Sequence, residues 1–336
     1  MLESIELRGN EEQRKFAAAA AAVAAEYRAE RVAQAPAGGF TIAAVNAACD
    51  GPKREVYTAK NSDQLPGDLV RSEGDPPSGE LAVDQAYDGA GDTYSLYSEQ
   101  YGRDSLDGSG LKLVSSVHVS QGLDNAFWNG AQMAYGDGGM IFKPLTGSLA
   151  VIGHELSHGV VQYCGGLVYR DQSGALNESF ADVFGALVDQ RKAGQTAAEA
   201  SWLIGAEILL DDVSGDALRS LKAPGTAYND DVLGKDPQPF HMADYANTTS
   251  DRGGVHVNSG VPNHAFYLLA QYLGGYAWEK AGQIWYDSMQ ALNNPHATFA
   301  DWAAQTVASA RDLYGVGSME AIFTRRVWRL VGVDFN

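Results

Sequence analysis

The sequence predicts an α+β protein, with a β-rich lobe followed by a mainly helical one, behind a short helical segment at the N-terminus. Three observations lead there. Leu111 to Val119 is rich in β-branched residues, as a strand requires. From Leu149 onward, apolar residues recur at helical spacing. Residues 11–33 are dominated by alanine, glutamate and arginine, which favour helix. A chain of 336 residues with 45% hydrophobic content can build about two domains and a large core. The expected division is a distinct N-terminal region over 1–52, a β-rich lobe over 53–150 and a helical lobe over 151–336.

Taken in order, Glu11 to Ala33 reads as one helix, broken by Pro36, Gly38 and Gly39. A short apolar run, Phe40 to Ala48, ends at Cys49, Asp50, Gly51 and Pro52. Val56 and Tyr57 lead into a turn between extended pieces at Leu65 to Arg71. Ala82 to Tyr101 carries helical periodicity through Val83, Ala86, Tyr87, Ala90, Tyr94 and Tyr97. A turn at Arg103 to Gly108 precedes the strand at Leu111, and Ala126 to Tyr135 reads as an edge strand. The longest apolar stretch near the N-terminus, Phe16 to Ala25, is too short to span a bilayer. It follows Glu11, Glu12, Arg14 and Lys15, which is not the layout of a signal peptide.

The net charge of −18 and a pI of about 4.7 argue against nucleic acid or an anionic membrane as partner. The two cysteines, Cys49 and Cys164, leave three arrangements open: free thiols, a disulfide, or Cys49 reaching a metal as a thiolate.

The chemistry concentrates in one segment. His154 and His158 are four apart, so on a helix they lie on one face, a turn from each other. Together they can offer two imidazole nitrogens to one metal ion, with Glu155 beside them to act as a base on water. Val151, Ile152, Leu156, Val160 and Val161 make this helix apolar and therefore buried. Buried histidines and glutamate are costly unless something satisfies them, which favours a metal over two solvated histidines. A catalytic zinc takes three protein ligands and keeps a position for water. Glu178, on a second helix marked by Leu176, Phe180, Val183, Phe184 and Leu187, is the candidate third ligand. Asp182 falls one turn later on the same face, where it can accept the free N–H of a ligating histidine.

The order of His154, Glu155 and His158, then Glu178 within Asn177 to Asp182, resembles the thermolysin family of zinc endopeptidases. Other segments follow in that family's order. Asn125 to Gly130, with Met133 and Tyr135 to Gly138, resembles its substrate-binding edge strand. Tyr169 resembles its active-site tyrosine, Arg219 its substrate-binding arginine, and Asp251 with His256 its aspartate–histidine pair. Met1, Leu2 and Ile5 resemble the start of the short propeptide in the protealysin-like branch, which implies a prosegment or its relic over 1–52, the alternative being a helix that merely packs on the surface.

The resemblance implies a two-lobe fold joined by the zinc-binding helix, and a neutral endopeptidase made as a self-inhibited, exported precursor. Its partners would be protein or peptide substrates and its own prosegment, and it would act as a monomer. With no recognisable signal peptide, cytoplasmic residence with non-classical release is the other expectation. Tyr169 and His256 would donate to the oxyanion, Asp251 would orient His256, and Asn125 with Ala126 would clamp the peptide backbone. The pocket for an apolar residue on the amine side of the cut would be lined by Leu149 or Ile152 and by Leu218.

Two calcium ions are common in this family, but Ala150 stands where an acid is expected and only Asp189 remains of a later cluster. Six to eight oxygens are needed per ion, so the double calcium site is expected to be absent, with a single site near Asp216 still open. Other roles also stay open. Arg219 can pair with Asp182 or Asp189, Tyr169 can be a rim aromatic, His256 can be a loop residue, and Asp124 can shape the cleft or face water. His118, His241, His264 and His296 lack metal spacing and read as structural. The rival functions are a silent or permanently closed zincin that only binds, and an aminopeptidase. The presence of Glu155 argues against the first, and the lack of an anchor for a free N-terminus argues against the second.

Overall fold

The computed structural model describes residues 2–34 and 50–335. The break at 35–39, the run at 40–48 and every arrangement of Cys49 lie outside those residues. Cys164 is a free, buried thiol whose sulfur accepts a hydrogen bond from Gln290 Nε2 at 2.8 Å.

The N-terminal segment is a helical hairpin, α1 (Leu2–Arg8) and α2 (Glu11–Gln34). The start of α2 is set by a reciprocal cap. Gln13 N–H donates to Asn10 Oδ1 at 2.9 Å, and Asn10 N–H donates to Gln13 Oε1 at 2.8 Å. Ile5 (1% exposed) and Ala17 (0%) enter the main hydrophobic core. Ile5 and Gln13 share a pocket wall with Met140, Ile141, Val213, Val232 and Leu233. Burial of Ile5 alone is worth about 1.5–3 kcal/mol, so side chains dock the hairpin onto the core. Val23 packs on a smaller core of Ala59, Val119, Leu123, Phe127 and Ala134.

Five strands form the sheet: β1 (Arg54–Ser62), β2 (Asp68–Ser72), β3 (Leu113–Val119), β4 (Ala126–Trp128) and β5 (Met133–Tyr135). Their order is β2-β1-β3-β5-β4. β3 runs parallel to β1 and β5, while β1–β2 and β4–β5 are antiparallel. Helix α3 (Leu81–Ser95) packs beside the sheet through Val83, Ala86, Tyr87 and Ala90. The run from Ala126 to Tyr135, read as a single strand in the sequence, is a hairpin with only β4 on the edge. Its legs are both apolar, and the turn is made by Asn129, whose Oδ1 accepts the N–H groups of Ala131 and Gln132.

Helix α4 (Leu149–Tyr163) touches β4 and α3 on one side and α5 (Asp171–Ala193) on the other. The α4–α5 crossing is unusually close. A Cβ on Gly185 would lie 2.4 Å from Ala150 O, and one on Gly153 would lie 3.1 Å from Gly185 Cα. Only glycine lets these backbones approach so far, and that approach brings α5 side chains to the α4 histidines. The short pair β6 (Leu203–Ile204) and β7 (Arg219–Ser220) lies beyond α5. Helices α6 (Asp251–Asn258), α7 (Gly260–Leu273), α8 (Lys280–Ala291), α9 (Phe299–Tyr314) and α10 (Met319–Leu330) complete the helical lobe. Phe266, Trp285, Trp302 and Trp328 fill its centre. No described helix is long and apolar enough to cross a membrane.

Candidate active site

The two histidines are aimed by their outer nitrogens. His154 Nδ1 lies 2.8 Å from Asp182 Oδ1, and His158 Nδ1 lies 2.7 Å from Asn177 Oδ1. Each ring therefore turns Nε2 inward, and the two Nε2 atoms are 3.2 Å apart. Glu178 closes the triangle, with Oε2 at 3.5 Å from His154 Nε2 and Oε1 at 3.4 Å from His158 Nε2. All three residues are buried. Tetrahedral zinc with bonds of about 2.0–2.1 Å holds its ligands about 3.3–3.4 Å apart, so this triangle has the size zinc requires. Glu178 Oε2 is buried without a hydrogen bond, which a carboxylate oxygen tolerates when a cation faces it. Burial works against the Glu178 charge, yet His256, His158 and His154 outweigh it and hold the carboxyl well below its ordinary range.

Glu155 stands beside the triangle. Its Oε1 is 3.9 Å from His154 Nε2, and its Oε2 accepts the backbone N–H of Trp128 at 3.0 Å. The edge strand thus tethers this carboxylate. On the opposite wall the Tyr169 hydroxyl bonds Glu178 and lies 3.2 Å from His256 Nε2. Asp251 grips His256 twice, at Nδ1 (2.7 Å) and at the backbone N–H (2.8 Å). That grip needs the left-handed backbone of α6. Gly253 has φ +90°, and a Cβ there would sit 2.0 Å from Asp171 Oδ1. Burial raises the Asp251 carboxyl, but His256 more than reverses it and leaves the group below its usual value.

Arg219 meets Asp182, not Asp189. Its Nε donates to both Asp182 oxygens (3.0 and 2.9 Å) and its Nη2 to Oδ1 (2.7 Å), while Asn263 Nδ2 adds a fourth contact at 2.8 Å. Despite burial, Arg219 and His154 hold Asp182 far down the carboxylate range. Asp189 lies elsewhere and is pushed up to about 6 by burial and by Glu207.

On the edge strand, Asn125 C=O accepts Gly136 N–H at 3.0 Å, and the Asn125 side-chain oxygen covers Ala126 N–H at 3.0 Å. Ala126 and Trp128 therefore turn their N–H groups away from β5. Asp124 does not face water. It is buried and accepts the N–H groups of Ile141 and Phe142. Ile152 turns away from the triangle, onto Gly89 of α3. His118 bridges Glu80 and Asp137, His241 accepts Ala243 N–H, and His264 stacks on Tyr267.

The sequence reading missed Asn177, Asn263, Gln162 and Gln238. The Gln238 amide donates to His256 C=O at 2.7 Å and to Ser259 Oγ at 3.0 Å. All four are uncharged amides, silent to a search for titratable groups. Asn177 alone had a cue, being next to Glu178 and so one step around the same helix.

A metal triangle of two imidazoles and a carboxylate, a tethered carboxylate and a facing tyrosine–histidine pair define a metal-dependent hydrolase on a two-lobe zincin fold. Sequence and structure comparisons make the class specific. The chain matches the model described as thermolysin metallopeptidase, catalytic domain, over residues 31–162. It matches thermolysin metallopeptidase, alpha-helical domain, over residues 165–333. An extracellular metalloprotease of Pectobacterium carotovorum subsp. carotovorum is 50% identical over 283 residues, covering 84% of this chain and 81% of that protein. Protease PrtS of Photorhabdus sp. (strain Az29) is 51% identical over 284 residues, covering 83% and 76%. A solved structure, the precursor of protealysin, a metalloproteinase from Serratia proteamaculans, superposes with TM-score 0.87 at 45% identity, covering 99% of this chain and 97% of that one. The chain belongs to the thermolysin metallopeptidase family and is a zinc-dependent metalloendopeptidase of its protealysin-like branch.

Proposed function

We propose that the chain is a self-inhibited precursor of a neutral endopeptidase, with zinc held by His154, His158 and Glu178 and Glu155 as general base. The observation that carries the site is the 3.2–3.5 Å ligand triangle with Glu155 beside it. Zinc bound there supplies a Lewis acid that lowers the pKa of water and polarises the scissile carbonyl. Glu155 takes the proton of the attacking water and passes it to the departing amine. The Tyr169 hydroxyl and His256 Nε2 face the carbonyl oxygen as it gains charge and donate to it. Asp251 fixes the orientation of His256 and favours its charged form. Asp182 orients His154 and is itself held by Arg219, whose remaining donor capacity serves a substrate carbonyl. Asn125 and Ala126 bind the peptide backbone by strand addition to β4.

Leu149 and Leu218 border the pocket for an apolar residue on the amine side of the cut. Residues 1–52 are the prosegment, 53–150 and 151–336 the two catalytic lobes. The docked hairpin, with Ile5 and Ala17 in the core, supports the precursor reading. The enzyme acts on protein or peptide substrates as an exported monomer, without nucleic acid or membrane as partner. The double calcium site is lost, Ala150 being apolar and buried.

The test follows freshly purified full-length chain over time. Mass spectrometry reads the N-terminus while casein hydrolysis is measured with and without a zinc chelator. Loss of about 52 residues should coincide with a rise in chelator-sensitive activity. A chain that stays intact yet is fully active would refute the precursor reading. A Glu155→Ala chain that binds zinc and still cleaves would refute the role of the base.

A further inference from the structure

Gln162 has no part in the chemistry above, yet it is buried (8% exposed) and fully engaged. It lies on α4 seven residues after Glu155, which is two turns on and the same face. Its Oε1 accepts the indole N–H of Trp128 at 3.0 Å, and its Nε2 donates to Gly130 C=O at 3.1 Å. Glu155, on that face, accepts the backbone N–H of the same Trp128. Three hydrogen bonds thus link one stripe of the metal-binding helix to the hairpin, two at Trp128 and one at Gly130. The β5 leg is held by β3, but the β4 leg has no second strand beside it among the described residues. Among the described residues β4, three residues long and at the sheet edge, pairs with β5 alone, with α4 and α2 packed against it. A short edge strand has few ladder bonds, so its position depends on what it packs against.

We propose that Gln162 is a positioning residue that locks the β4–β5 hairpin to the metal-binding helix. It keeps the peptide-binding edge at Ala126 and the base Glu155 in one frame. This rests on the site reading above. The indole bond fixes the side chain of Trp128 and the Gly130 bond fixes the turn. With both made, Trp128 is held where its backbone N–H donates to Glu155. A peptide laid along β4 then arrives with its cleavable bond in register with that carboxylate. Released from Gln162, the strand still exists, but an extended substrate must order it on binding. The cost therefore falls on KM and grows with the length of substrate that lies along β4.

The test uses enzyme matured from the full chain, with Gln162→Met, which keeps the shape and loses both bonds, and Gln162→Glu, which keeps the indole acceptor but cannot donate to Gly130. Kinetics are measured on a blocked dipeptide and on a blocked hexapeptide that extends along β4. Amide hydrogen exchange over 126–135 and zinc content are measured alongside. In Gln162→Met the hairpin amides should exchange faster at unchanged zinc content. KM for the hexapeptide should rise about tenfold more than for the dipeptide, the size expected when an ordering hydrogen bond is lost. Gln162→Glu should fall between parent and Gln162→Met. Unchanged exchange in the hairpin would overturn the proposal whatever the activity. So would an equal loss of kcat on both peptides with KM unchanged, because that marks a general structural defect. A Glu155→Ala enzyme that still cleaved both peptides would overturn the site reading and this inference with it.

Discussion

Asn177→Ala should weaken zinc binding far more than it weakens the fold. Asn177 Oδ1 accepts from His158 Nδ1 at 2.7 Å, and its Nδ2 makes only a long 3.3 Å contact with Leu167 C=O. When His158 Nε2 gives its lone pair to zinc, the proton must sit on Nδ1, and that N–H is buried. Left unpaired, it costs about 1–3 kcal/mol. In the zinc-free chain the ring can shift tautomer and avoid most of this cost. The penalty therefore falls on the bound state, and the affinity should drop about 10–100-fold, or about 1.4–2.8 kcal/mol. Asp182→Asn would be a poorer probe. Its carboxylate serves His154, Arg219 and Asn263 together, and stranding the Arg219 charge costs about 3–5 kcal/mol of stability. The assay is competition against a chromophoric zinc chelator in a Glu155→Ala background, which prevents self-digestion, with thermal melts of the zinc-free proteins. Zinc affinities within about threefold of each other would refute the argument, since that is below the range expected for such partners. So would a zinc-free melt lowered as much as the zinc-bound one, because Asn177 would then be structural only.

His256→Phe should keep its zinc and lose about 10²–10³ in kcat, the range for one donor to a developing oxyanion. Loss of zinc, measured by atomic absorption, would make His256 a ligand instead. Asp189 is pushed up to about 6 by burial and Glu207, so it stabilises the fold while protonated. That contribution is complete below the unfolded value near 4 and is lost as pH rises through about 6. Asp189→Asn should therefore gain about 1–2 kcal/mol over the parent at pH 7.5, after allowance for its partial exposure, and much less at pH 4.5. Urea melts giving the same difference at both pH values would contradict this. Ile5→Ala removes a fully buried side chain from the docked hairpin and should cost that docking about 2–4 kcal/mol. The full-length chain should then lose its N-terminal segment sooner, and an unchanged precursor lifetime by mass spectrometry would show that Ile5 does not hold it.

The sequence made the charged skeleton of the site readable because helix geometry alone relates its parts. Residues four apart share a face, so His154 with His158, and Glu178 with Asp182, could be paired without knowing the fold. What linked the two pairs could not be read that way. It depends on the close approach at Gly153 and Gly185, a tertiary contact between helices. Ile152 shows the same limit, since its place in the sequence did not say that it would face Gly89. The hairpin was misread because both legs are apolar, although Asn129 and Gly130 carried the turn signal.

The missed amides follow from electrostatics. A zinc dication with Glu178 and Glu155 sums to zero charge, and so does Asp182 with Arg219. Both rings need an acceptor at Nδ1, but Arg219 compensates an acid only at position 182. An aspartate at position 177 would add a buried negative charge with no cation opposite it, at a cost of several kcal/mol. A neutral acceptor is the side chain that orients His158 without that charge, and asparagine occupies the position. Such a residue becomes legible only after the charges around it have been counted.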